Sequence, residues 1–241
     1  MDLTPTLEQR LHELTHVFLA ENQKLNLSAF RTEENCWVGN VLDSVEAVEL
    51  LDRPHPSLSR STGEGGAERR VRDESILDLG TGGGFPLLPL ALCLPDCTFT
   101  GLDSVQKKID AVQRIVTTLH IPNAQLLCGR AEELGHNPQH REQYDVVLCR
   151  AVAEINVLLE YAAPFAKIGG TVLLWKSLNI DQELQDSLLA RAELSCHLQG
   201  QHTYELPGNF GKRQILIFKK TAKTPGKYPR EVGIPKKQPL L

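Results

Sequence analysis

An α/β fold is predicted for this chain: a doubly wound, mostly parallel sheet preceded by an N-terminal helical extension. Three observations predict it. From residue 75 onward, short apolar runs of strand length alternate with segments patterned at helical spacing, the order that builds parallel sheets from βαβ units. The first run, Ile76-Leu77-Asp78-Leu79, enters Gly80-Thr81-Gly82-Gly83-Gly84-Phe85, where the lack of Cβ atoms lets backbone N–H groups approach a ligand closely. The second run, Thr98-Phe99-Thr100-Gly101-Leu102, ends in Asp103, 19 residues past Gly84. Two strands ending side by side, one in a glycine turn and one in a carboxylate, form a nucleoside site.

The elements follow in order. Thr4–Leu25 reads as a helix, with Pro5 in its first turn and Leu7, Leu11, Leu14 and Phe18 on one face. Thr32 can cap a second helix whose face is Val38, Val41, Leu42, Val45 and Val48. Arg53–Glu74, with two prolines, three glycines and mixed charges, reads as a mobile loop. Strand one is about Ser75–Leu79, and Pro86–Leu94 is a short helix. Strand two runs to Leu102, followed by a helix carrying Val105, Ile109, Val112, Val116 and Leu119. Ala124–Cys128 and Tyr144–Cys149 are strands three and four, the latter apolar enough to be buried on both faces. Glu154–Ala166 is helical, Gly169-Gly170 ends it, Thr171–Trp175 is strand five and Asp181–Glu193 is the last helix. Two closing strands, near Ser195–Leu206 and Arg213–Phe218, are close enough for an antiparallel hairpin. The expected organisation is a helical region over 1–52, a loop over 53–71, a ligand-binding domain over 72–220 and a basic tail over 221–241.

Bulk composition narrows the function classes. With 241 residues and 41% apolar side chains, the chain can bury a full core. No apolar run is long enough to span a membrane, and Met1-Asp2-Leu3-Thr4 opens no secretory signal, so a cytoplasmic protein is expected. Six scattered cysteines without a C-x-x-C pair point to reduced thiols, with neither a disulfide frame nor a metal site. The net charge of −4 is uneven. From Lys212 onward nine basic residues face a single acid, Glu231, and the remainder is correspondingly acidic. Such a terminus suggests a polyanionic partner, and Lys227 and Arg230 are its candidates for RNA contact.

The turn also says which nucleoside. A dinucleotide fingerprint counted from Gly80 needs glycine at position 85, which is Phe85. Asp78 stands two residues before Gly80, and glycines follow at 82 and 84, a pattern that resembles the D-x-G-x-G-x-G turn of class I S-adenosylmethionine-dependent methyltransferases. A carboxylate suits the sulfonium and ammonium of that cofactor and repels a pyrophosphate. Asp78, Gly80, Gly82 and Phe85 are therefore candidate cofactor residues, with Phe85 packing on the ligand or filling the core. Asp103 is placed to bind ribose hydroxyls or to cap the helix that follows. Arg150, at the end of strand four, stands where a methyl acceptor must enter, as a ligand for cofactor, phosphate or base or as a structural ion pair. Lys176 and Arg31 are further candidates for RNA, or solvated surface groups.

More of the chain carries a specific resemblance. Leu25-Asn26-Leu27-Ser28-Ala29-Phe30-Arg31, Leu42-Asp43-Ser44, Leu102-Asp103-Ser104-Val105-Gln106-Lys107-Lys108, Gly129-Arg130-Ala131-Glu132-Glu133, Cys149-Arg150-Ala151-Val152-Ala153 and Thr224-Pro225-Gly226-Lys227-Tyr228-Pro229-Arg230 join the glycine turn in resembling the 16S ribosomal RNA guanine-N7 methyltransferase family. The resemblance implies S-adenosyl-L-methionine as cofactor, with Ala131 and Glu132 beside its adenine and Arg150 in its site. It implies ribosomal RNA or the small ribosomal subunit as partner and N7-methylguanine as product; a monomer is expected. Gly39-Asn40 departs from the basic residues common there, and the loop at 53–74 is longer than usual. No Asn-Pro-Pro-Tyr element follows strand four and no proline precedes a cysteine, so the marks of exocyclic-amine and cytosine-C5 chemistry are missing. Guanine N7 has an exposed, unprotonated lone pair; alignment suffices, and no catalytic acid, base or nucleophile is expected. The alternatives are a methyltransferase for protein or small molecules, an NAD-dependent oxidoreductase and a non-catalytic nucleotide-binding scaffold.

Overall fold

The computed structural model describes residues 4–52, 74–150 and 153–241. Helix α1 (Pro5–Leu25) is capped by Thr4, whose hydroxyl accepts from Leu7 N–H, and buries Leu11, Leu14 and Phe18. Thr32 caps the next segment through Asn35 N–H. That segment runs as α2 (Glu33–Cys36), a π-helical turn (Trp37–Leu42) and α3 (Asp43–Val45), followed by α4 (Val48–Asp52). The π turn departs from the regular helix expected there. Gly39 explains the close packing at this point: a Cβ on it would stand 2.5 Å from the Phe30 ring and 2.7 Å from that of Phe210.

Seven strands form one sheet in the order β3-β2-β1-β4-β5-β7-β6. β1 (Ser75–Leu79), β2 (Thr98–Asp103), β3 (Ala124–Cys128), β4 (Tyr144–Cys149) and β5 (Ala166–Lys176) pair in parallel. β6 (Cys196–Leu206) and β7 (Gly211–Lys220) form a hairpin whose β7 lies antiparallel against β5. The order reverses between β1 and β4, so a crevice opens at the carboxyl ends of these strands. Helices α5 (Leu87–Cys93) and α6 (Gln106–Thr118), with α1 and the 33–52 segment, cover one face of the sheet. Helices α8 (Ile155–Ala162) and α10 (Leu188–Glu193) cover the other. Burial on both faces is what makes the middle of β4, Val146-Val147-Leu148, apolar throughout.

Two expected boundaries move. Gly169-Gly170 does not end a helix: α8 stops at Ala162, and the pair lies inside β5. Gly169 has a φ of +82°, and a Cβ on Gly170 would stand 2.9 Å from the carbonyls of Asp145 and Lys167, so glycine lets β5 bend against β4. The single helix expected over 181–193 is broken at Ser187 into α9 (Asp181–Asp186) and α10. Ser187 is fully buried, and its hydroxyl donates to Leu184 O, a local bond that competes with helix continuation. The loop predicted over 53–71 lies outside the described residues.

The C-terminal segment is not a free tail. The Arg141 guanidinium donates to the carbonyls of Gly135, Thr224, Pro225 and Tyr228. Glu142 accepts from Thr224 N–H at 2.9 Å, and Tyr228 is buried. Residues 224–233 lie strapped across α8 and α7 (Ala131–Leu134), with a last turn, α11, at Ile234–Lys237.

Candidate functional site

The glycine turn is built from both neighbouring strands. Gly80 N–H and Thr81 N–H both donate to Leu102 O, at 2.8 and 2.9 Å, which ties the turn to the end of β2. Asp103 completes the joint: one carboxylate oxygen accepts from Gly82 N–H at 3.1 Å and the other from Val105 N–H at 2.9 Å. Its ribose-binding and helix-start readings share one carboxylate, which keeps further lone pairs for hydroxyls.

The glycines differ in what they do. Gly80 and Gly82 have φ values of +79° and +56°. A Cβ on Gly80 would meet nothing within 4 Å, and one on Gly82 only Gly80 O at 3.8 Å, so both face open space that a ligand can fill. Gly83 and Gly84 are pressed against Phe18 and Leu88 respectively, at 2.9 and 2.7 Å from a notional Cβ, and serve packing. A cradle with open glycines above a buried acid fits S-adenosylmethionine.

Asp78 lies beneath the turn rather than in its wall. It is 1% exposed, and one oxygen accepts from Leu87 N–H at 3.3 Å, at the start of α5. The other oxygen is buried without a hydrogen bond. The Thr81 hydroxyl stands near enough to favour the charged form without closing a bond. Burial dominates and pushes the Asp78 carboxyl up to about 7.

A cavity of about 860 Å³ opens on this turn. Its walls include Gly80, Thr81, Gly82, Gly83 and Phe85 from the turn, together with Phe30, Arg150, Lys176 and Arg213. Phe85 is 7% exposed and meets the Phe18 ring edge-on at 4.8 Å, so it is core and cavity wall at once. Asp103, Ala131 and Glu132 are not among these walls. The Glu132 carboxylate is turned to the C-terminal strap, accepting from Gly233 N–H at 2.9 Å.

Arg150 makes the ion pair that its structural reading allowed. Its Nε stands 2.8 Å from Asp43 Oδ2, and its Nη2 donates to Gly39 O and Asn40 Oδ1. Lys176 is drawn inward, 2.5 Å from Glu183 and donating to Ala153 O at 2.9 Å, so it is not a free surface cation. Arg31 is exposed and donates to Asn26 Oδ1 at 2.6 Å. Arg230 grips the buried Glu160 with Nε and Nη2, and Lys227 pairs with Glu193 at 2.9 Å. These two tail cations have carboxylate partners within the fold.

Sequence reasoning missed Asn40, Asp43, Trp175, Glu183, Tyr204 and Arg213 as cavity walls. The signal for Asp43 was available: it is a charge inside the apolar run Val41-Leu42-Asp43-Ser44-Val45. Tyr204 and Arg213 sit on alternating hairpin strands that give no sign of which end meets the crevice.

Comparison with known proteins agrees with this geometry. The GidB family, described as rRNA small subunit methyltransferase G, matches residues 7–215. The chain belongs to this family. A ribosomal RNA small subunit methyltransferase G of Carboxydothermus hydrogenoformans is 37% identical over 224 residues, spanning 93% of this chain and 88% of the relative. One from Leuconostoc mesenteroides is 37% identical over 232 residues, spanning 96% and 89%. The fold also matches a solved 16S rRNA (adenine(1408)-N(1))-methyltransferase of Catenulisporales acidiphilia, with a TM-score of 0.50 at 14% identity, over 64% of this chain and 88% of that one. Members of the methyltransferase G family are S-adenosylmethionine-dependent enzymes. No described helix is long and apolar enough to cross a membrane.

Proposed function

We propose that this chain transfers a methyl group from S-adenosyl-L-methionine to N7 of a guanine in 16S ribosomal RNA, acting as a monomer in the cytoplasm on the RNA or the small subunit. The observation that carries the reading is the shared cavity: a cofactor cradle at one end and polar donors at the other, with Arg150 nearest the switch point. The cofactor supplies an electrophilic methyl on a sulfonium. The chain's own part is placement. Gly80 and Gly82 leave room at the cradle, Asp103 offers its remaining lone pairs to ribose hydroxyls, and residues 131–132 offer backbone groups to adenine.

Direct displacement asks for alignment and exclusion of water, not proton removal. Three of the thiols are poorly suited to a nucleophilic role: burial holds Cys36 and Cys93 up at about 11 and about 12, and Cys149 higher still. Calorimetry with S-adenosylhomocysteine and with NAD tests the cofactor, and tight binding of NAD alone would end the proposal. Nucleoside mass spectrometry of small-subunit RNA after reaction should show one new N7-methylguanosine; a methyl on any other atom would refute the acceptor assignment.

A further inference from the structure

The acceptor end of the cavity rests on one buried carboxylate. Asp43 is 2% exposed and receives groups from separate parts of the fold. Arg150 Nε, from the end of β4, stands 2.8 Å from Oδ2. The Tyr204 hydroxyl, on β6, donates to Oδ1 at 2.7 Å. Arg213 Nε, on β7, is 3.8 Å from Oδ1, and Trp175 Nε1, on β5, donates to the Asp43 carbonyl at 3.0 Å. Arg150 is thereby bound on two edges. Its Nε is taken by Asp43 and its Nη2 by Gly39 O and Asn40 Oδ1, while Nη1 makes no hydrogen bond among the described residues. The side chain is 18% exposed and lines the cavity.

We propose that Asp43 is a positioning residue for methyl transfer: it fixes Arg150 so that Nη1 donates to guanine O6, and it neutralises the guanidinium beside the ring being methylated. The inference rests on the guanine-N7 reading above. Arginine ordinarily meets guanine with two bonds, to O6 and N7. Here N7 must stay free to attack, so O6 is the acceptor left on that edge. A donor at O6 also rejects adenine, which carries an amino group there. Methylation puts a positive charge on the guanine imidazole. An unpaired guanidinium nearby would oppose that charge as it develops, in a site of low dielectric. A carboxylate 2.8 Å from Nε leaves the donor edge in place and removes most of the opposing field.

The test is single-turnover methylation by the full chain at saturating S-adenosylmethionine, using small subunits from cells lacking the enzyme. Asp43→Asn keeps an acceptor for Arg150 but removes the charge. The expected result is a rate at least tenfold lower, with affinities for subunit and S-adenosylhomocysteine within threefold of wild type. An unchanged rate, or a loss that appears wholly as weaker binding, overturns the proposal. The double variant Asp43→Asn/Arg150→Gln is compared with Arg150→Gln alone, and decides the question even if the single Asn variant does not fold. With Arg150 gone from the guanine edge, and Arg213 the cation still beside Asp43, removing the carboxylate should cost no further rate, whereas a further tenfold loss overturns the idea. Failure of the guanine-N7 reading itself is seen separately, as wild-type protein that methylates another atom or does not bind S-adenosylhomocysteine.

Discussion

The glycine turn after β1 and the basic segment after β7 both stand out by composition, yet the turn opens onto empty space while Arg230 and Lys227 in the segment are paired with carboxylates. In the turn, Gly80 and Gly82 present their missing Cβ atoms to open space. In the segment, Arg230 and Lys227 face carboxylates that lie far upstream, Glu160 and Glu193. The difference is one of range. A glycine's purpose is set by its own φ and its immediate neighbours. A cation's purpose depends on which acid the fold brings beside it, and that acid was 70 residues away for Arg230.

The contrast can be broken most forcefully at Arg230. Arg230→Ala would leave Glu160, fully buried, without its charged partner and, among the described residues, with only the backbone N–H of residue 230. Such a loss costs about 3 kcal/mol, the lower end for broken buried pairs because the guanidinium is a quarter exposed. Chemical denaturation should show it, and an unfolding midpoint equal to wild type would mean that the strap contributes nothing. The salt dependence of RNA binding should barely change, since this cation is not offered to phosphate.

Gly82→Ala sharpens the other side. The left-handed backbone at Gly82 costs a residue with a Cβ about 1–2 kcal/mol of stability. Cofactor affinity should fall by more than tenfold, because the new methyl enters the cradle. Titration calorimetry that finds affinity intact would move the cofactor away from this turn.

Asp78 gives a dependence on pH whose sign is fixed. Its carboxyl is raised from the ordinary 3.8 to about 7 by burial, so the folded state holds the proton more tightly than the unfolded one. Its contribution to stability is therefore greatest below about pH 4, declines as pH rises from there to about 7, and is flat above. Asp78→Asn should remove that decline from a plot of unfolding free energy against pH. The same slope in both proteins would assign the titration to another group. Lys227→Ala is the mildest change. That side chain is 63% exposed, its pair with Glu193 is screened by solvent, and the unfolding midpoint should stay at the wild-type value. A midpoint lowered as far as in Arg230→Ala would show that the strap depends on this surface pair.

The fold was legible where pattern is local. β1, β2 and β4 follow apolar runs, α1 fills the helix expected over 4–25, and Thr32 caps the helix expected of it. It was illegible where one residue's own hydrogen bond or close backbone approach sets the boundary. Ser187 breaks a helix by bonding Leu184 O, and Gly170 lets β5 continue against Asp145 and Lys167. The site divides in the same way. Its cofactor end lies within one strand–turn–helix unit, with Asp103 reached through a single parallel pairing. Its acceptor end joins residues 43, 150, 175, 204 and 213, and no spacing rule relates them.

That scattered origin fixes when the enzyme can come into being. Chains are made from the N-terminus, so Asp43 is synthesised long before Tyr204 and Arg213. A nascent chain that has folded its first five strands already holds a complete glycine cradle but only part of the opposite wall. Asp43 then waits, with Arg150 and Trp175, for the hairpin β6–β7 to leave the ribosome and dock. Contacts spanning more than 100 residues close late in folding. The wall around Asp43 is therefore complete only once β6 and β7 have been made and have docked.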